Sequence, residues 1–253
     1  MKKYSKIILT SLIAIGLMSG NALAMSFDNN ITIYDGQSDY SDYNHWTTWY
    51  GSQEDQEVEY PSTVSQDFDM EAFYWNVTNS ELTMVGGYDL FGGYYDESYD
   101  DNHIDSGDIF IDTNGDTSYY EYVLDMDFSA KTYSVYAIDE SALLLDPKFV
   151  LQTGAWRYES GGTLISDNNA MSYAENLTDD EVGGLLGGYH YAVGVDLSFL
   201  PAGTQFISHF TMQCGNDDLL GQGMAPVPEP ATMLLFGTGI MGLAGYSKKR
   251  RKA

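Results

Sequence analysis

The chain has 253 residues, 37 of them acidic and 11 basic, for a formal net charge of −26. Eight of the basic residues sit at the two ends, so Lys131, Lys148 and Arg157 alone stand among every acid but Glu229. A body so anionic repels nucleic acid phosphate and so excludes nucleic acid as a partner, and it leaves membrane attachment to the ends.

The first element is a secretory signal over residues 1–24. Lys2, Lys3 and Lys6 precede an apolar run over 7–18, and the small residues Ala22 and Ala24 fit a signal peptidase site, which starts the mature chain at Met25. Residues 25–65, rich in Tyr, Asp, Ser and Gln, read as either a first pair of strands or a loosely packed lead-in. Trp46 and Trp49 stand there among Tyr43, Asn44, His45 and Tyr50, stacking faces mixed with hydrogen-bonding groups that suit a sugar, although core filling explains such rings equally.

Period-two alternation follows. Residues 73–78 and 81–85 predict a hairpin across Asn79-Ser80. Residues 108–112 and 119–124 flank Asn114-Gly115, the pair favoured in a type I′ hairpin turn. Further strands are predicted at 131–138, 155–158, 189–199 and 205–213, with helical turns at 141–145 and 178–181. In the second turn Thr178 and Glu181 have capping-box spacing. With 21 Tyr, 26 Gly and no long amphipathic helix, the fold class is all-β, an antiparallel jelly-roll-like β-sandwich over 25–214. The Gly/Asp-rich residues 215–226 read as a linker.

Asp105, Asp108, Asp112, Asn114 and Asp116 gather oxygen ligands over a short stretch. A calcium ion takes six to eight such ligands, but Gly115 is misplaced for an EF-hand loop, and an acidic hairpin accounts for the same residues. The four histidines have no zinc spacing, and no nucleophile elbow is present, so no catalytic residue is assigned and no enzyme is expected. His209 is expected to be structural. Cys214, the only cysteine, is expected to be buried beside Phe210 and Met212.

The tail, residues 227–253, joins Pro228-Glu229-Pro230 to the uncharged apolar segment 231–246 and then to Lys248, Lys249, Arg250, Arg251 and Lys252. As a helix the segment spans roughly 24 Å, enough to cross a bilayer with local thinning, and the basic cluster stops it on the cytoplasmic side. In this order the three parts resemble the PEP-CTERM sorting signal, which Gram-negative bacteria pair with the membrane cysteine peptidase exosortase. Residues 107–112 and 209–217 look like stretches of exosortase-dependent surface proteins. The resemblance implies an inner-membrane-anchored precursor, processing near Pro228-Glu229-Pro230, and release to the cell surface or to an extracellular polysaccharide matrix of the biofilm type. The expected function is a structural or adhesive surface protein. The alternative is a carbohydrate-binding module, with or without calcium, and the third option is a secreted glycoside hydrolase, which needs two carboxylates facing across a pocket.

Overall fold

The computed structural model describes residues 25–33, 65–95, 103–115, 119–149 and 151–227. The signal segment, Trp46, Trp49, Asp116, Pro228-Glu229-Pro230, the apolar segment 231–246 and the basic cluster lie outside the described residues. Within them the strands run β1 (Met70–Asn76), β2 (Glu81–Gly86), β3 (Tyr94–Tyr95), β4 (His103–Ile104), β5 (Ile109–Asp112), β6 (Tyr122–Asp127) and β7 (Thr132–Ala137). They continue as β8 (Leu143–Leu145), β9 (Arg157–Ser160), β10 (Thr163–Ala170), β11 (Ser172–Leu177), β12 (His190–Asp196), β13 (Gln205–Thr211) and β14 (Asp218–Met224). The fold is all-β, with no α-helix among the described residues.

One sheet has the order β1-β2-β12-β11 and a second the order β10-β7-β6-β5-β13-β14, with β3-β4 and β8-β9 as two small hairpin-like pairs. Every pairing between these strands is antiparallel. Alternation assigns the faces. Phe73, Trp75, Leu82, Met84, Val193 and Val195 of the first sheet share one core with Ile109, Ile111, Leu124, Val135, Phe206 and Phe210 of the second. The outward residues are covered as well. Ala72, Tyr74, Val85 and Ala192 pack against Val182 and Leu185, and Phe110 and Val123 pack against Ile138 and Tyr158.

The two sheets are stitched together along one side by residues 29–33. Ile31 donates its N–H to Phe73 O (2.8 Å) and Asn29 O accepts from Trp75 N–H (2.9 Å), while Ile33 donates to Leu220 O (2.8 Å) and Ile31 O accepts from Gln222 N–H (2.9 Å). This short segment therefore satisfies the edges of β1 and β14 at once. Ile31→Pro removes the donor to Phe73 O, and we expect a loss of about 1–3 kcal/mol in denaturant unfolding together with faster hydrogen exchange at Trp75 and Gln222. Asp28→Ala, at an exposed neighbour, should stay within about 0.5 kcal/mol. Equal stability of the two variants would show that the seam contributes nothing. On the opposite side β10 and β11 are the edge strands. Both carry register shifts and a left-handed asparagine, Asn168 (φ 53°) and Asn176 (φ 56°), which blunt them against pairing with another chain.

The hairpin across Asn79-Ser80 forms as β1 and β2, and β5 pairs with β6 around Asn114-Gly115. Of the latter two residues only Gly115 has positive φ (79°), so the turn is not type I′. Asp112 Oδ1 organises it instead, accepting the N–H groups of Asn114 and Gly115, each at 2.8 Å. The expected turn at 178–181 is a 3-10 turn over Asp179–Val182 in which Glu181 accepts the Thr178 N–H at 2.9 Å. Residues 141–145 do not form a helical turn. Residues 143–145 are extended as β8 because pairing with β9 carries Leu144 into the cluster around Tyr158. Residues 215–226 are not a linker either, since β14 pairs along the whole of β13 and buries Leu219.

Candidate functional site

An open cleft of about 600 Å³ lies between the 90–93 loop, the 103–108 stretch, β6, β7 and Arg157. Its rim carries acids and rings side by side. His103 is held at one edge, with Nδ1 2.8 Å from Asp105 Oδ1 and Nε2 2.9 Å from Gly92 O. Phe91 meets Phe128 and Tyr173 edge-on with centroids 6.0 and 5.5 Å apart, and Lys131 Nζ lies 3.3 Å from the Tyr173 ring centre. The Lys131 cation is stabilised there by the ring face.

The cleft carboxylates differ in environment. Asp108 is buried, with Oδ1 accepting Met126 N–H and Oδ2 accepting Tyr158 N–H, both at 2.8 Å. Burial pushes its pKa up to about 7 against the pull of those two hydrogen bonds. Asp125 is also raised, by burial first, with Arg157 opposing. Asp127 is lowered, because Ala130 N–H and then the Ser129 hydroxyl bind its carboxylate. Asp108 joins β6 to β9 through backbone groups and presents no free oxygen to the cleft. Asp105 and Asp127, each with one oxygen engaged within the fold, line the cleft beside Asp125 and Asp167 with carboxylates that can accept hydrogen bonds from ligand hydroxyls, and the rings supply stacking faces.

Of the five residues gathered by sequence as calcium ligands, the four described, Asp105, Asp108, Asp112 and Asn114, do not share one place. Asp105 and Asp108 line the cleft, whereas Asp112 and Asn114 line a separate depression of about 120 Å³ with Gln205 and Gln222. Asp108 and Asp112 do share a face of the sheet, but each binds neighbouring backbone amides. Among the described residues no group of three or more His, Cys, Asp or Glu side chains converges as a metal site. His209 is buried, donates from Nε2 to Thr153 O at 2.6 Å and stacks on Tyr120 at 5.5 Å. Burial pushes its pKa down to about 4, which keeps the ring neutral. Cys214 lies in the shared core beside Phe210 and Met212, with burial pushing its thiol up to about 12.

Sequence reading missed Phe91, Asp125, Asp127, Phe128 and Arg157, which come from separate segments and carry no common spacing. It also missed a buried ionic cluster on the outer face of the first sheet. There His190 Nδ1 is 2.6 Å from Glu71 Oε2, His190 Nε2 is 3.0 Å from Asp179 Oδ1, and Gln66 Nε2 donates to Glu71 Oε1. The only hint was the capping box, which sets Asp179 at the head of its turn.

The body ends on β14, so the tail begins almost flush with folded structure. Trp75 Nε1 donates to Met224 O at 3.0 Å, and Ala225 donates to Thr204 O at 2.8 Å and accepts from Gly203 N–H at 3.1 Å. The chain matches no curated protein and no solved structure. The protein-family model for the PEP-CTERM protein-sorting motif matches residues 226–251, beginning at the residue after Ala225. The chain therefore carries a PEP-CTERM sorting motif, which implies processing by exosortase and export to the cell surface.

Proposed function

We propose that this is a structural or adhesive protein of the cell surface or extracellular matrix, built as a jelly-roll-like β-sandwich and sorted by its C-terminal motif. The observation that carries the reading is the motif at 226–251, set directly after the last strand of a folded acidic body. A body that begins with an edge-sealing segment at 29–33 and closes with β14 survives removal of both ends without losing a strand. No catalytic role is assigned, because the most perturbed cleft carboxylate, Asp108, has both oxygens committed to backbone amides.

The test is fractionation of producing cells. The intact chain is expected in the surface or matrix fraction, and a Pro228→Ala, Glu229→Ala, Pro230→Ala variant in the membrane fraction at precursor mass. Recovery of both in the same fraction at the same mass would overturn the sorting step, and unchanged adhesion and matrix yield in cells lacking the chain would overturn the role. A carbohydrate-binding reading is favoured by one observation, the cleft lined by Asp105 and Asp127 together with the Phe91 and Phe128 rings. For that reading, titration with matrix polysaccharide should release saturable heat that Asp105→Asn with Asp127→Asn abolishes. Absence of heat leaves display without glycan recognition.

A further inference from the structure

We propose that the end of the body from which the tail leaves docks onto the lipid interface of the membrane for as long as the tail is attached. This rests on the reading that residues 231–246 cross a membrane, and it adds which surface of the body meets the lipid.

Three observations converge on that end. The first is reach. Ala225 is held by hydrogen bonds to residues 203 and 204, and only five residues separate it from Ala231, where the uncharged apolar segment begins. A fully extended chain covers at most about 3.6 Å per residue, so this end of the body stays within roughly 22 Å of the hydrocarbon edge. The second is charge. The elements gathered here are the turn Val77-Thr78-Asn79-Ser80, the loop over 197–204 and the residues 219–227, and none contains a charged side chain. The shallow groove between them, about 540 Å³, is lined by uncharged residues that include Asn29, Ile31, Gln205 and Gln222. In a body crowded with carboxylates, this surface brings no negative charge of its own toward anionic headgroups. Asp28, Asp112 and Asp196 flank it, Asp112 through the depression that shares Gln205 and Gln222 and occupied with the N–H groups of Asn114 and Gly115, Asp196 tied to Ser198. The third is exposed apolar area. Val77 is 51% exposed, Met224 46% and Val227 64%, and Trp75 lies behind them with its Nε1 on Met224 O. Aliphatic tips over an indole suit the zone between headgroups and acyl chains.

Three aliphatic side chains are too few to hold a free protein on a bilayer. The tail makes the contact intramolecular and raises the effective concentration of the surface. Docking is then conditional on attachment, and cutting the tail releases the body without a separate unbinding device. The arrangement also orients the molecule. Asp105 pairs its backbone with Gln213 in the hairpin turn at the far end of β13, so the rim of the cleft there points away from the membrane.

The test uses the chain isolated from cell membranes with its tail intact, reconstituted in phosphatidylcholine vesicles carrying a lipid-borne quencher. A fluorophore is placed through Val77→Cys or, at the opposite end, through Phe149→Cys, an exposed residue whose N–H meets Cys214 O. Cys214 is buried and stays unlabelled. We expect quenching at position 77 and its loss at position 149. Adding Met224→Asp and Val227→Asp should abolish quenching at 77 while the chain still sediments with the vesicles. Equal quenching at both positions in a sedimenting chain would overturn the docking and leave the membrane anchor standing. A chain that does not sediment with vesicles overturns the membrane-spanning reading, and the docking with it.

Discussion

Gly107→Ala is expected to cost about 3 kcal/mol or more, or to prevent folding outright, in a denaturant titration followed by tryptophan fluorescence. A Cβ built at Gly107 lies 2.1 Å from Thr211 O and 2.3 Å from Trp156 O, both backbone atoms that no rotamer change can move aside. The main chain threads here between the end of β13 and the start of β9, with Asp108 N–H bonded to Trp156 O at 2.8 Å. The same passage delivers the Asp108 carboxylate to Met126 and Tyr158, so displacement would open β6 and β9 along with the wall of the cleft. Gly184→Ala is the matched control. Gly184 has φ 91° but open space where the Cβ would stand, so only the backbone strain of about 1 kcal/mol is expected. Similar losses for the two variants would contradict the threaded passage.

Gly107 also shows what can be read in the sequence and what cannot. The run over 108–112 reads as a strand because Ile109 and Ile111 fill one face and Phe110 the other, and the structure has that strand as β5. The need for glycine before it comes from β9 and β13, remote in sequence, and leaves no local trace. The strands at 73–78, 81–85, 131–138 and 205–213 were legible for the same reason as β5, since burial imposes alternation. β10 and β11 were not, because they are sheet edges exposed over much of their length and their Ser, Asp and Asn residues carry no period. β14 was obscured by Gly221 and Gly223, which read as linker residues. In the sheet they leave room for Phe73 and Phe206, whose side chains would meet a Cβ at either position. The sorting tail was fully legible, because its signal lies in the linear order of three compositions. The cleft was illegible, because its acids and rings are brought together from five segments only by folding.

His190→Leu should lower stability by about 3–5 kcal/mol near neutral pH, the usual consequence of leaving one member of a buried ion pair alone. Glu71 and His190 are both buried, at 1% and 0% exposure, and Asp179 brings a second carboxylate to the far side of the ring. Burial raises the Glu71 pKa, and the hydrogen bond and charge of His190 restrain that rise. For His190 burial acts downward, but the hydrogen bonds and charges of Glu71 and Asp179 outweigh it and the net direction is upward. A base raised in the folded state contributes its full stability below its ordinary value of 6.5 and loses it as pH climbs through the folded value. The native protein should therefore lose this contribution as pH rises above 6.5. Glu71, raised by burial even with His190 present, already costs stability as pH rises from its ordinary 4.5, and without the His190 restraint the variant should weaken more over that range. Asp179 runs the other way. The His190 hydrogen bond lowers its pKa, and its contribution is lost only as pH falls below the ordinary 3.8. Adding Glu71→Leu to His190→Leu removes the stranded charge and should recover most of the loss. Unfolding midpoints of the single and double variants across the pH range decide the matter. A double variant no more stable than the single one, or a native midpoint that stays flat as pH rises above 6.5, would mean that the cluster is held by packing alone.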